Sequence, residues 1–261
     1  MGKWLYVLAL LATQATAEIR VFDFSEREVV LEQPAQRIIA LAPHVVENLF
    51  SAGAGDKVVG VVSYSDFPSA ARHIPEVGSY KAFSLEKIIS LEPDLIVMWA
   101  SGNGMARLEE LTILNIPIYV SEPRKLADIG RSIRDYEKLT GADPQRTSEA
   151  DRVDQTIAQL RQQYSHEEQL SVFYQVWNEP LQTLNQDHLI SRVISLCGGK
   201  NVFSDAQSLA PKISLEAVLK RDPDLIVASG MDIARPEWLD SWLDYPFLTA
   251  VKDEALFFVP P

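Results

Sequence analysis

The sequence predicts an α/β protein of two similar lobes with parallel-type sheets, joined by one long helix, with a ligand cleft between the lobes. Three observations predict it. Short apolar runs rich in β-branched residues alternate with stretches of helical periodicity, as parallel strands and their crossover helices do. One strand-and-helix segment recurs 130 residues further along. Between the copies, residues 125–165 carry a helical stripe and no convincing strand, so the chain is expected to cross between the lobes once, on a stiff connection that leaves a cleft where ligands commonly bind.

Residues 1–17 stand apart. Lys3 gives a positive start, Trp4 to Ala12 an apolar stretch, and Ala15-Thr16-Ala17 a small-x-small cleavage site before Glu18, which together read as a secretory signal peptide. The apolar run is roughly half of the ~20 residues needed to span a bilayer. Next, Val21–Phe24 and Glu28–Leu31 flank a polar turn and predict a small hairpin peripheral to the sheet. Strands are then expected at Arg37–Leu41, Val58–Val62, Leu95–Trp99, Ile118–Val120, Ser171–Val176, Leu225–Ala228 and Leu256–Val259. Helices are expected around Val45–Ala52, Ser84–Ser90, Met105–Leu114, Leu189–Leu196 and Ser214–Lys220. The lobes are placed at 18–124 and 166–261, with the linking helix over 125–165. Its stripe runs through Leu126, Ile129, Ile133, Tyr136 and Leu139, is interrupted at Gly141-Ala142-Asp143-Pro144, and resumes at Val153, Ile157 and Leu160. The chain stops just after the apolar run Leu256–Val259, at Pro260-Pro261, and the second lobe is expected to be truncated there.

The repeat is the most informative feature. Ser84-Leu85-Glu86 precedes Pro93-Asp94-Leu95-Ile96-Val97, and Ser214-Leu215-Glu216 precedes Pro223-Asp224-Leu225-Ile226-Val227. In each copy a Ser can cap a short helix, an acid sits in its first turn, and a Pro-Asp turn feeds a buried strand. Ala-Ser-Gly follows at Ala100–Gly102 and again at Ala228–Gly230.

Composition excludes several classes of function. With 47% hydrophobic and 23% charged residues and a mean hydropathy of −0.03, the chain is neither low-complexity nor disordered. A net charge of −12 and a pI near 4.8 argue against a nucleic-acid partner, which requires a basic surface. No Gly-x-Ser-x-Gly elbow, P-loop or Gly-x-Gly-x-x-Gly fingerprint is present, so an enzyme is the runner-up class, without a positioned nucleophile. His44, His73, His166 and His188 show no metal-ligand spacing, and no metal site is expected. His44 alone follows a strand at the start of a helix; an ordinary helix-start residue is one reading and an imidazole able to ligate a metal the other. Trp238 and Trp242, four apart, read as core packing. The single cysteine, Cys197, implies an intermolecular bridge, a free thiol or a missing partner.

The signal peptide, the two lobes, the linking helix and the paired Ser-Leu-Glu and Pro-Asp-Leu-Ile-Val segments resemble the substrate-binding proteins of ABC importers for cobalamin, iron-siderophores and haem. Within that group, Val62-Ser63-Tyr64-Ser65-Asp66-Phe67-Pro68 and Leu196-Cys197-Gly198-Gly199-Lys200-Asn201-Val202-Phe203 are most similar to cobalamin-binding proteins. The resemblance implies a soluble, monomeric periplasmic carrier that has no catalytic residue and no resident cofactor, and delivers cobalamin or a related corrinoid to a membrane permease. A ferric-siderophore or haem carrier of the same fold is the alternative. It further implies that Tyr64, Tyr80 and Trp99 are aromatic ligand contacts, with Tyr80 standing where the usual pattern has Trp. In the second lobe Ala210 and Leu181 occupy positions that can be aromatic, and Trp177 is the compensating candidate. A corrin is a large amphipathic disc, best held between flat apolar faces. The resemblance also implies that Glu86 and Glu216 dock onto a two-subunit permease, although either acid alone would be assigned to its helix dipole. It implies, finally, that Cys197 is half of a disulfide whose partner lies beyond Pro261.

Overall fold

The computed structural model describes residues 18–142, 149–165, 169–229 and 234–259. The signal-peptide segment, His166, Gly230 of the second Ala-Ser-Gly and the Pro260-Pro261 end lie outside the described residues. The chain divides into two compact units, Met1–Ser121 with Asp135–Pro144, and Glu122–Arg134 with Gln145–Pro261.

The first unit begins with an antiparallel hairpin of β1 (Ile19–Phe22) and β2 (Glu28–Leu31), a two-stranded sheet of its own. The expected first strand is shifted toward the N-terminus because Asp23 is committed to the turn, accepting the N–H groups of Ser25 and Arg27. Then follow β3 (Ile38–Ala40), α1 (Pro43–Ser51), β4 (Val58–Val62), β5 (Glu76–Gly78), α2 (Leu85–Ser90), β6 (Leu95–Trp99), α3 (Ala100–Asn103), α4 (Ala106–Thr112) and β7 (Ile118–Ser121). The five sheet strands are all parallel, in the order β5-β4-β3-β6-β7. Ile38–Ala40 and Leu95–Met98 are fully buried, as central strands covered on both faces must be, which is why they read as unbroken apolar runs.

The repeated Pro-Asp has a physical role in both units. Asp94 accepts the backbone N–H groups of Gln36 and Arg37 at 2.7 and 2.9 Å, so the start of β6 fastens the start of β3. In the second unit Asp224 accepts the backbone N–H and the hydroxyl of Ser171 at 2.6 and 2.7 Å. The repeated Ser caps as expected: the Ser84 and Ser214 hydroxyl oxygens accept the N–H groups of Lys87 and Ala217.

Where one long helix is expected over 125–165, the described residues carry α5 (Ala127–Thr140) and α6 (Glu149–Tyr164). Gly141, at φ 65°, takes the left-handed position that ends α5, and the Ala142 N–H returns to the Glu137 carbonyl, a closing pattern that favours glycine. The units also alternate along this stretch, with the division falling between Arg134 and Asp135, rather than exchanging once.

The second unit continues with β8 (Leu170–Gln175), α7 (Leu189–Leu196), β9 (Gly199–Asn201), α8 (Leu215–Arg221), β10 (Leu225–Ser229), a 3-10 stretch at Glu237–Asp244, α9 (Thr249–Lys252) and β11 (Leu256–Val259). Its four strands are parallel, in the order β11-β10-β8-β9. Phe173, Ile226 and Ala228 point into a core that includes Leu239 and Trp242. The Trp242 indole N–H donates to the Gln175 side-chain oxygen at 2.7 Å and Trp238 packs against the same core, so both tryptophans are packing residues. The other face of this sheet is less covered. Val172, Tyr174 and Val227, with Val193 and Cys197, help line a cavity of about 710 Å³ within the unit.

Candidate functional site

Ligands of parallel α/β sheets bind outside the carboxyl ends of the strands, at the point where the strand order reverses. In the first unit the chain moves outward from β3 through β4 to β5, then returns to the other side of β3 for β6 and β7. The reversal therefore falls between β3 and β6. His44 follows β3, Tyr64 follows β4, Tyr80 follows β5, and Trp99 is the last residue of β6. The four residues selected as ligand contacts in this unit thus stand at the carboxyl ends of four neighbouring strands of one sheet.

The rings of three of them are packed together. The His44 ring meets Trp99 edge-on, with centroids 5.2 Å apart and planes at 85°. Tyr80 lies 5.9 Å from Trp99, tilted by 42°, and the Lys81 ammonium sits 5.4 Å from the centre of the Tyr80 ring, a cation–π distance. Gly102, unread in the sequence beyond its place in the repeat, is the seat of the indole: a Cβ at this position would overlap the six-membered ring of Trp99. Trp99 is neither a core residue nor free in solution, since it is partly exposed and walled by His44, Tyr80 and the α3 backbone.

Tyr64 is held differently. Its φ is 67°, a left-handed conformation that costs a non-glycine residue about 1–3 kcal/mol and persists at sites under functional constraint. Its side chain is 63% exposed, and Phe67, in the same Val62–Pro68 segment, is 67% exposed. Two large aromatic groups exposed within one short segment are the kind of surface that ligands or partners cover. Phe67 was not selected from the sequence, although its segment was.

Burial lowers the His44 imidazole from its ordinary 6.5 to about 4, so the ring is neutral near pH 7. Its Nε2 is buried, with no hydrogen-bond partner among the described residues. As the second residue of α1, after Pro43, it sits where a helix start was expected.

In the second unit Trp177 follows β8, the strand beside which that sheet's order reverses. It is 43% exposed, and its indole N–H donates to the Glu179 carbonyl at 3.0 Å, which fixes the ring against its own loop. Leu181 packs against the core of this unit, whereas Ala210 accepts a hydrogen bond through its carbonyl from Gln182. Cys197 is an exposed free thiol at the end of α7.

Glu86 and Glu216 occupy the first turns of α2 and α8, exposed and one residue beyond the first helical position. The Glu216 carboxyl is held below its usual range chiefly by its own backbone N–H and then by Ser214, which is the behaviour of an acid at a helix start. Among the described residues no group of three His, Cys, Asp or Glu side chains could hold a metal ion, and no helix is long and apolar enough to cross a membrane.

Residues 38–261 match the family model described as "Periplasmic binding protein". The chain is 37% identical over 224 residues to the vitamin B12-binding protein of Vibrio cholerae serotype O1, covering 86% of this chain and 80% of that one. The crystal structure of periplasmic vitamin B12 binding protein BtuF of Vibrio cholerae superposes with a TM-score of 0.74 at 36% identity, over 87% of this chain and 88% of that one. The periplasmic heme-binding protein RhuT from Roseiflexus sp. RS-1, in apo form, has a TM-score of 0.73 at 21% identity over 87% and 89%, and shares the fold. Two parallel sheets with a duplicated clasp, and a family match over residues 38–261 that takes in both of them, place this chain in the periplasmic binding protein family.

Proposed function

We propose that the protein is an exported, periplasmic carrier that binds cobalamin, or a related corrinoid, and hands it unchanged to the permease of an ABC importer. The observation that supports this reading best is the gathering of Tyr64, Tyr80 and Trp99 at the carboxyl ends of β4, β5 and β6, with His44 closing the wall beside Trp99. Flat side chains with few orienting polar groups suit a corrin, which offers a broad apolar edge studded with amides. The names of the V. cholerae relatives support the same ligand. Trp177 is the second unit's proposed contact, and Glu86 and Glu216 are the proposed docking acids, one at the same place in each repeat. The carrier is taken to be monomeric.

Titration of the purified protein with cyanocobalamin, haemin and a ferric siderophore tests the reading. Saturable one-to-one binding of cyanocobalamin, recovered chemically unchanged, is expected. Binding of haemin or the siderophore with no response to cyanocobalamin would overturn it.

One observation favours a second reading of His44. A neutral imidazole without a hydrogen-bond partner at Nε2 is in the form that ligates cobalt or iron. If it does so after a turn of the ring, cobinamide, which lacks the nucleotide base, shifts its visible spectrum on binding and His44→Ala abolishes the shift. Identical spectra in the two proteins would leave His44 as part of the wall.

A further inference from the structure

Asn103 ends α3 with its side chain buried, 7% exposed. Its Oδ1 accepts the backbone N–H of Trp99 at 2.6 Å. Its Nδ2 donates to the carbonyl of Leu41 at 2.9 Å and to the carbonyl of Tyr80 at 2.6 Å. One amide therefore joins three separate stretches of chain: the end of β6, the turn from β3 into α1 that carries His44, and the loop after β5 that carries Tyr80. An acceptor and two donors on one short planar group is a combination that only asparagine supplies at this reach. The partners, one N–H and two carbonyls, also fix which way the amide faces.

A local capping role would account for the bond to Trp99, four residues away. It does not account for the other two, which close 62 and 23 residues of chain. We infer that Asn103 is a positioning residue for the aromatic wall: it sets the spacing of His44, Tyr80 and Trp99 before ligand arrives, without touching ligand itself. Binding to a wall already ordered avoids the entropy of ordering it at the moment of binding. The inference rests on the proposed corrinoid-binding reading for the identity of the ligand, and on the three hydrogen bonds for everything else.

Asn103→Asp separates the bonds. An aspartate keeps an acceptor for the Trp99 N–H and, with at most one proton to share between the Leu41 and Tyr80 carbonyls, loses at least one of the two donated bonds at nearly unchanged shape. Asn103→Ala loses all three. Leu139→Ala, fully buried on α5 in the same unit and outside the core cluster that holds Leu41 and Tyr80, serves as a control that lowers stability away from the three stretches. At a temperature where every variant is folded, cyanocobalamin affinity is expected to fall about tenfold or more in both Asn103 variants, the equivalent of ordering one or two side chains anew, and to stay within about twofold in Leu139→Ala. In the proteins without ligand, the Trp99 amide should keep its slow hydrogen exchange in Asn103→Asp and lose it in Asn103→Ala. Tryptophan fluorescence should change in both. Should Asn103→Ala not fold, the isosteric aspartate variant alone decides. Wild-type affinity and an unchanged tryptophan spectrum in folded Asn103→Asp would overturn the inference. If the wild type itself fails to bind cyanocobalamin, the ligand reading falls, and the exchange and fluorescence arms still decide whether Asn103 orders the wall.

Discussion

Replacing Gly102 by Ala sets two effects of opposite sign against each other. Gly102 lies within α3 at an ordinary helical φ, so alanine by itself should stabilise the helix by about 0.5–1 kcal/mol. Against that, the new methyl would occupy space held by the Trp99 indole. Carbon atoms pack at about 3.5–4.0 Å, so the ring must retreat by more than an ångström, and such overpacking costs about 1–3 kcal/mol. The retreat also loosens the edge contact with His44 and the tilted contact with Tyr80, each worth about 0.5–1.5 kcal/mol. The steric side wins, leaving a net loss of about 1–2 kcal/mol, or a fall in Tm of roughly 2–8 °C for a protein of this size. Cyanocobalamin affinity, read by isothermal titration calorimetry, should fall about 10- to 100-fold, because a displaced aromatic contact is worth about 1.5–3 kcal/mol. A Gly102→Ala protein as stable as the wild type, with undiminished affinity, would show that the indole does not need this seat.

Tyr64→Gly should raise stability by up to about 1 kcal/mol, since glycine adopts a positive φ without penalty, while weakening cyanocobalamin binding; a loss of stability would refute the assignment of strain there. His44, lowered by burial to about 4, is neutral when folded and takes up its proton more readily when unfolded. Its contribution is therefore present above pH 6.5, falls as pH drops from about 6.5 toward 4, and amounts to roughly 3 kcal/mol across that window. Because His188 is also lowered, by burial and then by Arg124, the measurement is the difference between wild type and His44→Gln in unfolding free energy against pH, and parallel curves would refute the prediction. Glu86→Arg/Glu216→Arg should leave cyanocobalamin affinity unchanged and cut complex formation with the permease by more than the ~0.3–1 kcal/mol of a helix-dipole term; normal docking would return both acids to their helix-start role.

Most of the two sheets was legible in the sequence, because their central strands are covered on both faces and therefore spell unbroken runs such as Leu95-Ile96-Val97-Met98. The strands that escaped notice, Glu76-Val77-Gly78 and Gly199-Lys200-Asn201, are three residues long, contain glycine and lie at or near sheet edges. With too few apolar side chains to form a pattern, they are defined by backbone pairing alone. The stretch over 125–165 reads as one helix because its apolar stripe resumes beyond Gly141, whereas the end of α5 is marked by that one glycine. The site followed the same division. Aromatic residues at strand ends were selected for their chemistry, whereas Asn103 and Gly102 sit in Ser-Gly-Asn-Gly, which reads as a turn. An amide that bonds residues 62 and 23 positions away leaves no periodic trace.

Asp94 and Asp224 have a consequence for how such a chain comes to exist. Each acid takes these partners from its own unit, 57 and 53 residues back, and none of these bonds borrows from the other unit. A segment that carries its own fastening can be doubled in a gene without either half losing a partner, because closing one sheet asks nothing of the other. The acids can then stay fixed while the loops at the opposite ends of the same strands drift apart, as Trp99 and Ser229, 130 residues apart, have done. Duplication of this kind leaves one end of each sheet conservative and the other free to specialise.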